Sequence, residues 1–203
     1  MSVAGQPRGF LPAVDLHARL DYVGQFDMPM DELLGRAAEF RGLPVFTPED
    51  EILALAAHAA RHRFRGVGRS VADAWTIART AHVSWDDVAR RARKWRMSVT
   101  TWALLTCAAR SLGAPIPRAT LAALRPGAAK EAYLRAWLDL GYVSPWRLAS
   151  RGYSDLPRRF ALVVLWPALV DGVGRGATHL LSYSARALAH GPQMSPGAGM
   201  VRR

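Results

Sequence analysis

The chain has 203 residues, enough for one large domain or two small ones, and half of them are hydrophobic, which excludes global disorder. Lysine plus arginine total 27 against 16 aspartate plus glutamate; the net charge of +11 admits polyanionic partners and equally fits an arginine-rich genome. Cys107 is the only cysteine, which excludes an intrachain disulfide. A cytoplasmic location is therefore expected. The N-terminus MSVAGQPRGFLPAV has no signal-peptide pattern. The longest apolar run, Ala161 to Val170, is interrupted by Pro167 and is too short for a transmembrane segment.

Residues 1–12 carry Gly5, Pro7, Gly9 and Pro12 and read as a loose lead-in. Val14, Leu16, Ala18 and Leu20 then alternate with Asp15, His17 and Arg19, the period of a half-buried strand. No other stretch shows so good a strand pattern. A lone strand cannot satisfy its own backbone groups. The pattern therefore predicts partners elsewhere: a missing sheet upstream or in another chain, or a second copy paired through residues 14–20. Asp31 and Glu32 open a short helix over 30–40, which Gly42 and Pro44 break.

Thr47 to Phe64 carries the strongest helix-start signals. Thr47 suits the N-cap, Pro48 the first helical position, and Asp50 the acid of a capping box. Ile52, Leu55, Ala56, Ala59 and Arg63 recur at helical spacing, with Glu51, His58 and His62 on one flank. Gly66 and Gly68 mark its end. This helix is expected to be central. Ser70 with Asp73, and Ser84 with Asp87, repeat the capping-box pattern ahead of two more helices. A fourth helix runs from Ser98 to Leu112, a short piece from Thr120 to Leu124, and another helix from Ala128 to Leu140. Residues 141–157 read as a loop. Phe160 to Leu188 is helical but broken near Pro167 and the glycines at 172, 174 and 176.

The chemistry-bearing candidates are few. His58 and His62 stand one turn apart, a zinc-ligand spacing, but no further ligand completes the set and Glu51 is roughly 10 Å away by helix rise. No zinc is expected. Gly66-Val67-Gly68-Arg69-Ser70 is a glycine turn into a helix start, which receives phosphate in some folds but lacks P-loop spacing here. Arg90 to Arg96 reads as a solvated basic face, so nucleic acid is admitted by charge without being favoured. Cys107 lies in TWALLTCAAR and reads as a core residue. Asp15 is a strand-borne carboxylate of the kind that holds Mg²⁺, but one carboxylate alone makes no two-metal site.

VDLHARL at 14–20, DELL at 31–34, LPVFTPEDEILALAAHAARHRF at 43–64, Asp73, and WDDVARRARKW at 85–95 together resemble a family of bacterial nucleotidyltransferase-like proteins within the polymerase-beta-type nucleotidyltransferase fold. The resemblance covers about residues 13–115. It implies a small mixed sheet that binds NTP and Mg²⁺, with a helical domain behind it. In that family a Gly-Ser turn and an Asp-x-Asp pair precede a third carboxylate on a later strand. Asp15 matches the third carboxylate, which makes it the implied catalytic and metal-holding residue. Arg19 and Arg61 are candidates to offer charge to the triphosphate. The Gly-Ser turn and the Asp-x-Asp pair do not occur in this chain.

The expected fold is mainly α: a helical bundle preceded by one orphan β-strand left from an α/β nucleotidyltransferase sheet. The expected organisation is a sheet remnant over 1–46, a helical domain over 47–190 and a disordered tail over 191–203. The expected function is nucleotidyl transfer from an NTP to an acceptor when a missing catalytic half completes the protein, with no activity alone. The alternative is a non-catalytic basic helical module that binds a protein or nucleic acid.

Overall fold

The computed structural model describes residues 25–62, 64, 67–139, 168–172 and 174. The strand pattern at 14–20, the loop at 141–157, most of 160–188 and the tail lie outside the described residues. Within them the chain forms α1 (Met30–Gly35), β1 (Ala38–Phe40), β2 (Leu43–Val45), α2 (Pro48–Arg61), α3 (Gly68–Thr80), α4 (Trp85–Lys94), α5 (Ser98–Leu112), α6 (Arg118–Leu124) and α7 (Ala128–Asp139). The architecture is mainly α, with a two-stranded antiparallel sheet among the described residues.

The helix expected over 30–40 ends at Gly35, and residues 38–45 form a hairpin instead. Arg41 (φ 53°) and Gly42 (φ 80°) supply the two left-handed residues of a tight two-residue turn. Gly42 and Pro44 were legible as helix breakers; Arg41 in the left-handed region concealed the turn. Ala38 pairs with Val45, Glu39 with Pro44 and Phe40 with Leu43.

α2 begins as its sequence dictates. The Thr47 hydroxyl accepts from the Asp50 amide at 3.4 Å, and Pro48 fills the first position. Only half of the capping box forms. The Asp50 carboxylate turns away from the backbone and accepts from Arg36 Nε at 2.9 Å and from Arg91 at 2.8 Å. The other two boxes do not cap. α3 starts at Gly68 with Val67 as its N-cap, so Ser70 already lies inside the helix. At α4 the Ser84 amide donates to Glu49 Oε1 at 2.8 Å, a carboxylate brought from the first turn of α2.

The centre of the bundle is α5 rather than α2. α5 is buried continuously from Val99 to Ala108 and packs on α2, α3, α4 and α6. A helix apolar on all sides belongs inside, whereas α2 keeps Glu51 and His58 exposed. α2 contributes Ile52 and Leu53 together with Ala56, Ala57, Ala59 and Ala60, small side chains that let its neighbours approach closely. Phe26, Met28 and Leu33 join the same hydrophobic cluster.

Turns are closed by local and distant groups alike. Arg96 takes φ 57° after α4, and the Met97 amide donates to Ala92 O at 2.7 Å, so the chain reverses and buries Met97. α5 ends on Gly113 at φ 64°, as its glycine predicts. Its start is capped from far along the chain: the Ser98 and Val99 amides donate to the Asp171 carboxylate, each at 2.9 Å. Thr100 Oγ1 donates to Leu169 O and Lys130 Nζ to Val170 O, which fixes residues 168–171 against α5 and α7.

Asp50 is fully buried while its two arginines keep partial access to water. Removing one member of such a buried pair leaves an uncompensated charge and costs about 3–5 kcal/mol. Asp50→Ala should therefore lower the unfolding free energy by about 3 kcal/mol or more, read from urea denaturation. Lys94→Ala, which removes the exposed Lys94–Glu32 pair, should leave the urea midpoint nearly unchanged.

Candidate functional site

Asp15 and Arg19 lie outside the described residues. The remaining candidates gather along the exposed flank of α2 and the start of α3. His58 and His62 are both exposed, and their rings meet at 4.5 Å between centroids with planes tilted by 52°. Arg61, half-buried, occupies the same turn. In the glycine turn, Val67 and Ser70 are buried, so these two residues seat α3 in the core.

A feature the sequence did not reveal is the approach of Glu51 on α2 to Asp73 on α3. Desolvation raises the pKa of Glu51 above the usual carboxylate range, and the negative charge of Asp73 adds to that. Asp73 also faces Arg69 at 3.9 Å. Nothing in the local pattern could have found this pair. Glu51 read as part of a histidine-bearing flank and Asp73 as a cap, and only the packing of α3 on α2 brings them together.

In nucleotide sites Mg²⁺ is held by one or two carboxylates together with waters and phosphate oxygens. Among the described residues, no group of three or more His, Cys, Asp or Glu could hold a metal ion. The described residues thus offer no preformed site of three or more protein ligands.

The basic run at 90–96 is a largely solvated face, as expected: Arg90, Arg93, Lys94 and Arg96 are exposed and Arg91 turns inward, and its cations have partners within the domain. Arg90 bonds Asp87, Arg91 bonds Asp50, and Lys94 bonds Glu32. Arg96 reaches Asp27 at 3.1 Å, and Arg93 donates to Ala123 O at 3.3 Å. Hydrogen bonding to Lys94 holds the Glu32 carboxyl below its ordinary pKa, and Arg90 does the same for Asp87. Cys107 is buried, and desolvation pushes its thiol up to about 12, which leaves no thiolate for nucleophilic chemistry near neutral pH. Among the described residues, no helix is long and apolar enough to cross a membrane.

The raised Glu51 pKa has a defined sign. The fold holds that proton more tightly than the unfolded chain does, so charging Glu51 disfavours folding as pH rises past its unfolded value. Glu51→Gln should therefore be more stable relative to the parent at pH 7 than at pH 4. Paired urea titrations at the two pH values would show it; an equal difference at both would contradict the assignment.

Comparison with curated proteins and with solved structures returned no match. A protein-family model described as "Uncharacterised nucleotidyltransferase" matches residues 6–113. That span takes in the VDLH strand pattern, the hairpin, α2 with its two histidines, and the helices through α5. Since it covers more than half of the chain, the protein belongs to this family of uncharacterised nucleotidyltransferases.

Proposed function

We propose that this protein is the mostly helical, C-terminal part of a nucleotidyltransferase-like assembly that transfers a nucleotidyl group from an NTP to an acceptor. One observation carries the reading: the family match runs through VDLHARL at 14–20, so it includes Asp15. In this reading Asp15 is the catalytic and metal-holding carboxylate, and Mg²⁺ with NTP is the cofactor and substrate pair. Magnesium would supply charge neutralisation at the triphosphate. Neither a Gly-Ser turn nor an Asp-x-Asp pair occurs in the chain, so the remaining ligands come from a separate catalytic half, joined to the strand at 14–20. A second copy joined through the same strand would not supply the Asp-x-Asp pair. The single buried cysteine supports a cytoplasmic setting.

The described helices have a supporting role. The packing of α2 through α5 presents a fixed surface, and the Asp50 pairs tie α1 to it. Internal pairing of the basic run weakens the rival reading of a polyanion-binding module, because its cations already have partners.

Purified chain incubated with labelled NTPs, Mg²⁺ and candidate acceptors should give background transfer only. Co-expression with an adjacent reading frame that encodes Gly-Ser and Asp-x-Asp should give transfer, and Asp15→Ala should abolish it. Robust transfer by the chain alone, or transfer by the pair that survives Asp15→Ala, would refute the proposal.

A further inference from the structure

The hairpin exposes an apolar face. Paired residues share a face of the sheet, so Ala38, Phe40, Leu43 and Val45 lie together and Glu39 and Pro44 lie opposite. Phe40 is 59% exposed, Leu43 66% and Val45 40%. A two-stranded hairpin with an open apolar face is marginal until a third strand or a cover completes it.

The two edges of the hairpin are not equivalent. In a two-residue turn the closing pair, Phe40 and Leu43, exchanges the hydrogen bonds. Glu39 and Pro44 are then the non-bonded pair, with their backbone groups directed outward. Proline has no amide hydrogen, so the outer edge of β2 lacks its donor there. β1 presents both the amide and the carbonyl of Glu39 on its outer edge.

From this asymmetry we infer that residues 14–20 of this same chain add to the outer edge of β1 as a third strand. Val14, Leu16, Ala18 and Leu20 would continue the apolar face of Ala38, Phe40, Leu43 and Val45. Asp15, His17 and Arg19 then fall on the face that carries Glu39. The tether is short enough. The Asp27 amide donates to Trp95 O at 3.0 Å, and the Arg36 guanidinium lies 5.5 Å from the centre of the Trp95 ring. Asp27 and the residue two before β1 thus meet at one residue, Trp95, the first on its backbone and the second on its ring. Leu20 lies within ~17 Å of Gln25 at roughly 3.3 Å per residue. The strand that lacked a partner by sequence has one in this hairpin, and its other edge stays open to the catalytic half. The inference does not depend on any transfer activity.

Amide hydrogen exchange on the full chain, at a concentration where light scattering gives a monomer, tests it. Residues 14–20 and 38–40 should be protected together. Leu16→Asp, on the shared apolar face, should abolish protection in both segments, while His17→Ser should keep it. Glu39→Pro, which gives β1 the same gap that Pro44 gives β2, should release 14–20 and leave α2–α5 protected. Free-peptide exchange at 14–20, protection that survives Glu39→Pro, or protection that appears only as concentration rises and the chain dimerises would each overturn the inference.

Discussion

A buried carboxylate sets the geometry of the described domain. Asp50 has no contact with water and is held by Arg36 at the end of α1 and Arg91 in α4. A charge in that position must be paired, because an isolated one is prohibitively costly to desolvate. The requirement fixes three elements at once. Arg36 must stay at the end of α1, which turns the chain into the hairpin, and its guanidinium lies over Trp95. Arg91 must face inward, which rotates α4 so that Val88, Ala89 and Ala92 pack and Arg90, Arg93 and Lys94 point outward. The Glu32 and Asp87 carboxylates flank the two arginines and extend the pairing to the surface.

Helix starts are secured by acids from other elements. Glu49, in the first turn of α2, satisfies the amide of Ser84, the N-cap residue of α4, and Asp171 satisfies two amides of α5. A carboxylate at a helix N-terminus is favoured both by hydrogen bonding and by the helix dipole. Delivering it across the domain also joins elements that are distant in sequence. At the other end, Glu131 is bonded by Arg125 and by Arg135, and Arg135 lies over Trp102 of α5. Much of the arginine content among the described residues thus serves architecture.

The division of labour follows. Among the candidates on the described helices, the Glu51–Asp73 pair and the tilted rings of His58 and His62 are the polar groupings left outside the structural ion pairs, and neither is a complete chemical site. Asp15, the residue proposed to act chemically, stands in a strand pattern of the sequence. The hairpin is the element that connects the two. It follows the Arg36–Asp50 anchor and carries the edge to which residues 14–20 are proposed to add.

By itself the sequence determined where most of the helices lie, though not the end of α1 or the starts of α3 and α6. α2, α5 and α7 begin at Pro48, Ser98 and Ala128, α4 begins just after Ser84, and α5 ends on Gly113, because the Thr47 cap, the apolar periods and a left-handed glycine act over a few residues. The family, too, was legible in the VDLHARL pattern, the TPED start and the histidine-bearing turn. Tertiary structure alone decided the rest. The Asp50 side chain could satisfy a backbone amide or two arginines, and the choice belongs to residues 14 and 41 positions away in sequence. α5 rather than α2 took the centre because ten consecutive buried side chains, from Val99 to Ala108, outweigh the better-marked start of α2. The hairpin escaped notice because its turn uses Arg41 at positive φ, which sterics disfavour and nothing in the local pattern signals. The basic run had no sequence neighbours to show that Asp27, Glu32 and Asp50 would come to meet it.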